Sequence, residues 1–321
     1  MNYSEMKENI NILFVGGAKR LSLAERFIDA GKKIGKNINI FSYELTKEVP
    51  ICSIATVIEG LLFKDPKIIE HLLKTLNDYD IDIVFPNVDP AISILAQLKQ
   101  QIKEKNKMIL VSPKNICDIF FNKKTANKWF VENGINVPEN STNTFPIIAK
   151  PIEGSASRGI KIIKNQIDFK QFCNEQKIEN YLIQKYIESD QYTVDCYIST
   201  QNNKILAVVP RKRLEVIDGE VSKSITVYDQ QLIEISKQII KKANFQGPIN
   251  IQFLKEKNTQ KIYLMEINPR FGGGVINSIE AGVNMPLMVL NDYLQKENQI
   301  IENWKPNLLM MRANREVFLC K

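Results

Sequence analysis

Short apolar segments alternate with longer amphipathic segments along the N-terminal third of the chain. The short segments predict strands, and the longer ones, in which apolar residues recur every three or four positions, predict helices. Strands separated by helices are typical of a parallel sheet, because parallel neighbours need a crossover connection. We therefore expect a doubly wound α/β domain over residues 1–113. Its predicted strands are 10–15, 38–43, 81–86 and 108–113, and its predicted helices are 21–33, 65–76 and 91–105.

The pattern changes beyond residue 113. Shorter apolar segments appear first, and from residue 191 polar and apolar residues alternate, which indicates antiparallel strands with one buried face. The expected fold class is therefore α/β followed by α+β. The further predicted helices are 122–133, 167–176, 229–243, 276–281 and 286–295, and the further predicted strands include 145–151, 159–163, 181–187, 249–255, 261–267 and a final strand within 308–319.

Charge and hydropathy exclude several classes of partner. The chain carries 43 Lys and Arg against 36 Asp and Glu, a net charge of +7. The basic residues are dispersed, which argues against a nucleic-acid groove. No apolar run approaches the ~18 residues of a membrane span, and residues 10–15 are too short for the apolar part of a signal peptide. We expect a cytoplasmic protein with a basic cleft for an anionic small molecule, although a lysine-rich surface would explain most of the excess charge.

Few residues suit nucleophilic or zinc chemistry. The one histidine, His71, lies in an amphipathic helical segment and is expected at its surface, which argues against a Ser-His-Asp triad and against a histidine-rich zinc site. The five cysteines are scattered and form no C-x-x-C motif, so they indicate free thiols in a reducing compartment. The chemistry therefore rests on lysines, arginines, carboxylates, amides and the backbone.

Lys150 ends a predicted strand, and a loop rich in Gly, Ser and Ala follows it at residues 153–159. Small residues let backbone N–H groups approach a phosphate closely, and a buried lysine adds positive charge. This composition predicts a mobile lid over phosphates. The alternative for Lys150 is a surface lysine whose stem packs on the protein.

A second group of polar residues lies on the predicted strands INIQF and MEIN. Because strand side chains repeat with period two, Glu266 and Asn268 face the same side, and Gln252 on the neighbouring strand joins them. One carboxylate and two amides offer the oxygen ligands that magnesium prefers, with phosphates completing the octahedron. Arg270 is in phase with them and is expected to reach a phosphoryl group. The alternative is an ordinary solvated strand face.

The order of Lys123, Lys150 with its loop, IQKYI, INIQF and MEINPRFGGG resembles that of ATP-grasp enzymes over residues 110–295. The resemblance is to the ATP-binding halves of the carbamoyl-phosphate synthetase large subunit and its stand-alone relatives. It implies a pre-ATP-grasp domain at 1–113, a small lobe with the lid at 114–188 and a large lobe with the metal site at 189–321.

The resemblance also implies residue roles. Arg270 would be catalytic, stabilising the transferring phosphoryl group, and Gln252, Glu266 and Asn268 would hold Mg²⁺, with Mn²⁺ as an alternative. The chain departs from the family where Lys185 replaces a frequent Glu and where Gln191, next to Asp190, replaces a frequent acidic ribose contact. The residues implied for ATP binding are Lys123, Lys150, Ser155, Ser157, Gly159, Gln184, Lys185, Tyr186, Ile187 and Gln191.

Substrate recognition is expected from three further places. These are the ends of two N-terminal strands, where open α/β sheets bind ligands, the RKR segment, and the glycine triplet after MEINPRF, which would cradle an acyl phosphate. For the last two, a charged solvent face and a tight turn remain open alternatives. The candidate residues are Lys19, Arg20, Asp89, Arg211, Arg213, Gly273 and Gly274.

The resulting hypothesis is an ADP-forming ligase that activates a carboxylate as an acyl phosphate for attack by an amine or another nucleophile. Its cofactors would be ATP and Mg²⁺, and its partners would be small-molecule carboxylates and amines, with no nucleic acid and no membrane. A homodimer is compatible with the sequence. The alternatives are a carbamoyl-phosphate-type phosphotransferase and a non-catalytic nucleotide-binding protein.

Overall fold

The computed structural model describes residues 7–102, 104, 106–154 and 158–319. Five parallel strands form the first sheet, in the order β3-β2-β1-β4-β5. Its elements are β1 (Asn9–Val15), α1 (Leu21–Lys33), β2 (Asn37–Glu44), a 3₁₀ turn (Pro50–Ser53), β3 (Thr56–Glu59), α2 (Ile68–Asp78), β4 (Ile83–Pro86), α3 (Asp89–Gln101) and β5 (Met108–Ile109).

Helices cover both faces of this sheet. On β1, Ile12 and Phe14 pack into the same core as Phe27 of α1, whereas Leu13 and Val15 pack with α2 and α3. Alternating side chains of one strand thus fill two cores, which requires the strand to be apolar throughout. The predicted doubly wound architecture is confirmed.

Three local predictions in this region were wrong or incomplete. Strand β3 was not predicted, because as an edge strand it buries only Ile58 of its four residues. Strand β5 ends at Ile109 instead of Pro113, since the Val111 N–H turns back to the Ile109 carbonyl at 3.0 Å. A helix at Lys114–Phe121 was also missed.

The second sheet has three antiparallel strands in the order β7-β6-β8. Asn122 separates two helices and caps the second, because its side chain accepts from the backbone N–H groups of Lys124 and Thr125 at 2.9 and 3.3 Å. This cap places Lys123 at the first helical position. The elements are α4 (Lys114–Phe121), α5 (Lys123–Glu132), β6 (Ile147–Pro151), β7 (Lys161–Ile163), α6 (Gln166–Glu175), a 3₁₀ turn (Ile178–Asn180) and β8 (Tyr181–Lys185).

The third sheet has six antiparallel strands in the order β13-β12-β9-β10-β11-β14. The final strand is shorter than predicted: only three residues pair with β11, and the described residues after Met311 are mostly exposed. The elements are β9 (Ser189–Ile198), β10 (Ile205–Ile217), β11 (Glu220–Thr226), α7 (Gln230–Ala243), β12 (Gly247–Glu256), β13 (Ile262–Asn268), α8 (Val275–Glu280), α9 (Met285–Tyr293) and β14 (Leu309–Met311).

An aromatic contact joins the first and third sheets. Phe271, just after β13, packs edge-on against Phe27 and Phe85, with ring centroids 6.0 and 5.3 Å apart. The Tyr293 hydroxyl of α9 donates to Asp82 at 2.7 Å. The Phe271 contacts hold the first sheet and α1 against the segment that follows β13, and the Tyr293 contact ties α9 to the amino end of β4. The exact domain limits remain a prediction.

Three expectations from the sequence concern a membrane span, the cysteines and His71. Within these ranges no helix has both the length and the apolar character to cross a membrane. Cys52, Cys117, Cys173 and Cys196 are free thiols, and Cys320 lies outside the described residues. His71 is half-buried rather than at the surface, and its Nδ1 lies 2.9 Å from the Tyr43 hydroxyl, a structural contact.

Candidate active site

A cleft of about 520 Å³ lies between the three-stranded and six-stranded sheets. We call it the cleft cavity. One wall comes from β6 and the other from β10, β12 and β13, so residues far apart in the chain meet across it. Its lining includes Lys123, Lys150, Glu153, Gly154, Arg158, Tyr186, Asp190, Gln191, Arg213, Gln252, Met265 and Glu266.

Lys150 is buried, with 6% of its surface exposed, so the alternative of a surface lysine is wrong. Its Nζ donates to Gln184 Oε1 at 3.1 Å, and the Gln184 amide nitrogen donates to Asn127 and to the Pro138 carbonyl, both at 2.9 Å. Burial lowers the pKa of Lys150 to about 8, while the charge of Glu266 opposes that shift. Because its bonded partner is a neutral amide, the positive charge of Lys150 is available to bind an anion.

Lys123 approaches the predicted lid from α5. Its Nζ donates to the Gly154 carbonyl at 2.9 Å, so one end of the loop is attached to the helix N-terminus. Gly159 has φ +74°, a backbone conformation that L side chains rarely adopt, and it lies against Pro151. Ser155 and Ser157, both predicted to bind ATP, lie outside the described residues.

The four residues implied near the adenine (184–187) and Gln191, implied near the ribose, occupy different environments. Gln184 is buried and bonded to Lys150, and Ile187 is buried as well. Tyr186 lines the cleft cavity, but its backbone N–H already donates to the Pro146 carbonyl at 2.9 Å. Lys185 and Gln191 are exposed, and Gln191 lines the cleft beside Asp190. Asp190 itself accepts from Lys212 Nζ at 2.6 Å.

The predicted metal ligands meet on β12 and β13. Gln252 pairs with Glu266, and the next pair is Phe253 with Leu264, so Met265 is an extra residue in β13. Such a bulge commonly re-aims a neighbouring side chain at an active site. The Asn268 amide nitrogen lies 2.5 Å from Glu266 Oε1.

These three side chains fit a hard cation. The described residues contain no cluster of three His, Cys, Asp or Glu side chains, so the donor set is one carboxylate plus two amides. Phosphate oxygens would complete such a set for Mg²⁺. Asn268 would have to rotate its amide to present Oδ1 in place of its nitrogen.

A second, polar cavity of about 190 Å³ adjoins the cleft. The two cavities share Arg213, Gly219, Gln252 and Glu266 in their linings. The other residues of the polar cavity are Arg20, Asn87, Val88, Asp89, Thr193, Arg211, Glu220, Val221, Asn250, Arg270 and Gly272 to Gly274.

One row of side chains crosses four strands beneath the polar cavity. Glu266 of β13 is opposite Gln252 of β12, which is opposite Thr193 of β9, which is opposite Arg211 of β10. Residues in register across a sheet share a face. The row therefore runs from the candidate metal site to a buried arginine.

Arg211 is 1% exposed, so the alternative of a solvated charged face is wrong for this residue. Its Nε and Nη2 donate to Asp195 at 2.6 and 3.2 Å, and the Ser278 hydroxyl donates to the same carboxylate at 2.6 Å. Its Nη1 is buried and has no hydrogen-bond partner among the described residues. A Cβ on Gly274 would lie 2.6 Å from that nitrogen, so only glycine fits there without a shift.

Arg270 is held by the first residue of helix α3. Its Nε donates to Asp89 Oδ1 at 2.5 Å, and Asp89 begins helix α3. Both residues line the polar cavity. Asp89 therefore positions Arg270, a contact between residues that the sequence analysis assigned to separate roles.

The remaining substrate candidates surround the polar cavity. Arg20 Nη1 donates to the Gly272 carbonyl at 3.2 Å, and burial lowers the pKa of this guanidinium to about 10. Arg213 Nη1 donates to Gln252 at 3.3 Å. Gly273 accepts from Arg312, and Lys19 is exposed at a separate cavity next to Arg20.

Sequence reasoning missed three polar residues of this region. Asp195 and Asn250 lie on central strands, where each is opposite the other in register, and Asn87 follows β4. Asp195 and Asn250 occupy the polar positions of their alternating strands, two residues from Thr193 and Gln252. The period of two places both on the face that carries Gln252, and this signal would have marked them.

Comparison with known proteins gives two family matches. Residues 177–316 match the family described as "ATP-grasp in the biosynthetic pathway with Ter operon". Residues 12–110 match the family described as "PylC-like, N-terminal domain".

Among curated proteins, the D-alanine–D-alanine ligase of Rickettsia canadensis is 31% identical over 180 residues, 47% of this chain and 49% of that protein. The chain thus spans about half the length of this relative.

Solved structures show the same fold over nearly the whole chain. N5-carboxyaminoimidazole synthetase from Staphylococcus aureus, solved with ADP, has a TM-score of 0.73 at 18% identity, with 97% of this chain and 84% of that chain covered. Biotin carboxylase from Campylobacter jejuni, solved as a β,γ-ATP complex, also has a TM-score of 0.73, at 17% identity and with 93% and 74% covered. The predicted fold class is confirmed.

Proposed function

The chain belongs to the ATP-grasp superfamily, and from that premise we propose that it is an ATP-dependent ligase. It would phosphorylate a substrate carboxylate with ATP and pass the acyl group to an amine. The observation that carries this proposal is that the cleft cavity and the polar cavity meet at Gln252 and Glu266. A nucleotide in one cavity and a carboxylate in the other would then react at their junction.

The proposed reaction has two steps. A carboxylate oxygen attacks the terminal phosphorus of ATP, the bond from that phosphorus to the bridging oxygen breaks, and ADP leaves. The amine nitrogen then attacks the acyl carbon, and phosphate leaves with the carboxylate oxygen. The described residues supply positioning and charge for these steps rather than a covalent nucleophile.

Each side of the junction has its own cations. Lys150 and Lys123 would bind ATP phosphates from the cleft cavity, where both side chains lie. Arg270, held by Asp89, would face the negative charge that develops on the transferring phosphoryl group. Mg²⁺, bound by Gln252, Glu266 and Asn268, would neutralise phosphate charge and orient the phosphates.

The carbamoyl-phosphate-synthetase-like subtype is part of this proposal. The ligase and the carbamoyl-phosphate-type phosphotransferase differ in that only the ligase requires a second substrate. A pure nucleotide-binding role needs neither the paired Arg270 nor the buried Arg211, and both are present. These residues favour a ligase. The homodimer and the small-molecule partners belong to the same proposal.

The decisive experiment compares Glu266→Gln with Glu234→Gln. We expect Glu266→Gln to lower carboxylate-dependent ADP release by roughly 10²–10³-fold or more, because the carboxylate at the junction of the two cavities is lost. The melting temperature should change little, since Glu266 is half-exposed to the cavities. Glu234 is an exposed helix residue and serves as the control. Unchanged ADP release by Glu266→Gln would contradict the proposal.

A further inference from the structure

A third cavity, of about 390 Å³, lies at the carboxyl edge of the five-stranded sheet. We call it the edge cavity. It shares Arg20, Asn87, Val88 and Glu220 with the polar cavity, so the two spaces adjoin. The nucleotide-binding and phosphoryl-transfer roles proposed above leave the edge cavity unassigned.

The walls of the edge cavity differ in chemistry from those of the polar cavity. Its far side is built from apolar residues in the segments that follow β2 and β3, with Lys19 and Glu44 at its margin. Leu45 and Leu62 are 58% and 51% exposed there, an unusual pair of large apolar side chains beside a polar site. The apolar lining consists of Leu45, Val49, Leu61, Leu62 and Phe63.

The polar cavity, in contrast, is lined by charged groups. Arg20, Arg211, Arg213 and Arg270 line it beside Asp89, Glu220 and Glu266, and Arg211 is paired with Asp195. The buried Arg211 Nη1 has no partner among the described residues, and Arg20 and Arg213 donate to neutral carbonyl and amide oxygens. An anionic head is therefore favoured in the polar cavity and an apolar body in the edge cavity. A ligand that carries both groups fits the two adjoining spaces.

We propose that the edge cavity binds the apolar body of the carboxylate substrate while its carboxylate lies in the polar cavity. This inference rests on the proposed ligase function and specifies its substrate class. The substrate is an acid with a branched or aromatic side chain, not a small acid such as acetate or glycolate. The transfer of this side chain from water into the edge cavity would favour the larger acids over the small ones.

Asn87, at the boundary between the two cavities, places a second requirement on the chemistry of the substrate. It is 2% exposed, and neither its amide nitrogen nor its amide oxygen has a hydrogen-bond partner among the described residues. Buried polar atoms without a partner are uncommon in native proteins, and each calls for an explanation. A hydroxyl or amino group next to the substrate carboxylate would satisfy this amide, so the substrate is a 2-substituted acid.

Arg20 fixes the geometry of this boundary. Its guanidinium donates to the Asn87 carbonyl at 3.3 Å and to the Gly272 carbonyl at 3.2 Å. It thereby links the strand end of the first sheet to the glycine triplet of the third. The carboxylate would bind beside this link, with the side chain directed towards Leu62.

The experiment measures ADP and hydroxamate formation from Mg-ATP, hydroxylamine and one of three acids: glycolate, 2-hydroxy-4-methylpentanoate or 3-phenyllactate. We expect kcat/KM to be roughly 10- to 100-fold higher for the two larger acids than for glycolate. 3-Phenylpropanoate, which lacks the 2-hydroxyl, should react less well than 3-phenyllactate. Hydroxamate formation with glycolate preferred would overturn the inference and leave the ligase function intact.

Two variants test whether the selectivity for 3-phenyllactate over glycolate arises in the edge cavity. Leu62→Trp fills the edge cavity and should lower the ratio of kcat/KM for 3-phenyllactate to that for glycolate at least tenfold. Leu309→Trp makes the same substitution at a similarly exposed position on β14, outside the edge cavity, and should leave the ratio unchanged. Equal ratios in both variants would overturn the inference.

A binding measurement separates this inference from the proposed function. Calorimetry with 3-phenyllactate in the presence of magnesium and a non-hydrolysable ATP analogue should show binding that Leu62→Trp weakens at least tenfold. If 3-phenyllactate binds but no acid gives hydroxamate or ADP, the edge cavity is supported as a binding site and the proposed ligase function is rejected. No binding of 3-phenyllactate to the unmodified chain would reject the edge cavity.

Discussion

Lys150 and Arg211 are two buried cations on opposite sides of the Gln252–Glu266 pair, and their surroundings differ. Lys150 is bonded to the neutral amide of Gln184 at 3.1 Å. Arg211 is bonded through two nitrogens to the carboxylate of Asp195. Among the described residues, Lys150 thus has no bonded carboxylate, whereas Arg211 has one.

The difference assigns different physical roles. Lys150 loses hydration on burial, its bonded partner is a neutral amide, and the charge of Glu266 only partly offsets that loss, so its pKa falls to about 8. A phosphate bound beside it would stabilise its charged form strongly. Arg211 has its charge balanced, and its unpartnered Nη1 offers a hydrogen bond in one fixed direction. In the proposed function, the charge of Lys150 would attract ATP, whereas the fixed geometry of Arg211 would select the substrate.

The largest expected effect comes from removal of the counter-charge of Arg211. Asp195→Asn leaves a buried guanidinium without its carboxylate, and breaking such a pair typically costs about 3–5 kcal/mol. Lys150→Met removes a buried charge that has no bonded carboxylate among the described residues, and its cost is the Gln184 oxygen left without a donor, about 1–3 kcal/mol. Urea unfolding of both variants measures the contrast. Equal losses of unfolding free energy would contradict the distinction between the two cations.

A smaller effect is expected at the glycine triplet. Gly274→Ala places a Cβ 2.6 Å from both Arg211 Nη1 and Val221 Cγ1, and overpacking of this kind costs about 1–3 kcal/mol. Gly273→Ala is the matched control, since the nearest atom to its Cβ would be Arg312 Nη2 at 3.5 Å. We expect Gly274→Ala to lower the free energy of unfolding by this amount in urea unfolding and Gly273→Ala to leave it almost unchanged. If Gly273→Ala were the more destabilising variant, the close packing of Arg211 on Gly274 would not matter for stability.

The smallest expected effect is the pH dependence of nucleotide affinity. Lys150 in the free protein loses its proton as the pH rises through about 8, whereas a bound phosphate favours the protonated form. The affinity for a non-hydrolysable ATP analogue should therefore fall as the pH rises from 7.5 to 9.5, by at most about tenfold per pH unit above the free-protein pKa. Titration calorimetry measures it.

Two variants control the pH measurement. Lys150→Met has no proton to lose, and its weaker binding should be flat over this range. Lys150→Arg stays charged and should be flat as well. A slope that persists in both variants would assign the titration to another group.

The candidate metal site was predictable because strand geometry is local. Glu266 and Asn268 are two residues apart on one strand, so the period of two places them on one face in any fold that keeps the strand. The pairing of Gln252 with Glu266 needed only that β12 and β13 be neighbours, which their short connection favours. The bulge at Met265 was not predictable, because nothing in MEIN marks the extra residue.

Burial of the two cations was not predictable from the same reasoning. IIAKP and VPRKR each end an apolar run with a cation, a pattern equally typical of a surface residue. Lys150 is buried because β8 brings Gln184 beside it, and Arg211 because Asp195 and Ser278 converge on it from β9 and α8. Each burial depends on which strand lies next to which.

The sequence by itself therefore determined the alternation that builds the parallel sheet, the antiparallel strands that follow, and the oxygen-rich face of β12 and β13. Hydrophobic periodicity carries this information, because it reports the local geometry of each element. Only the tertiary structure decided that Asp89 holds Arg270 from 181 residues away, and that the end of the first sheet forms a cavity beside the glycine triplet. Such contacts arise from packing between elements far apart in the chain, and no periodicity within either segment encodes them.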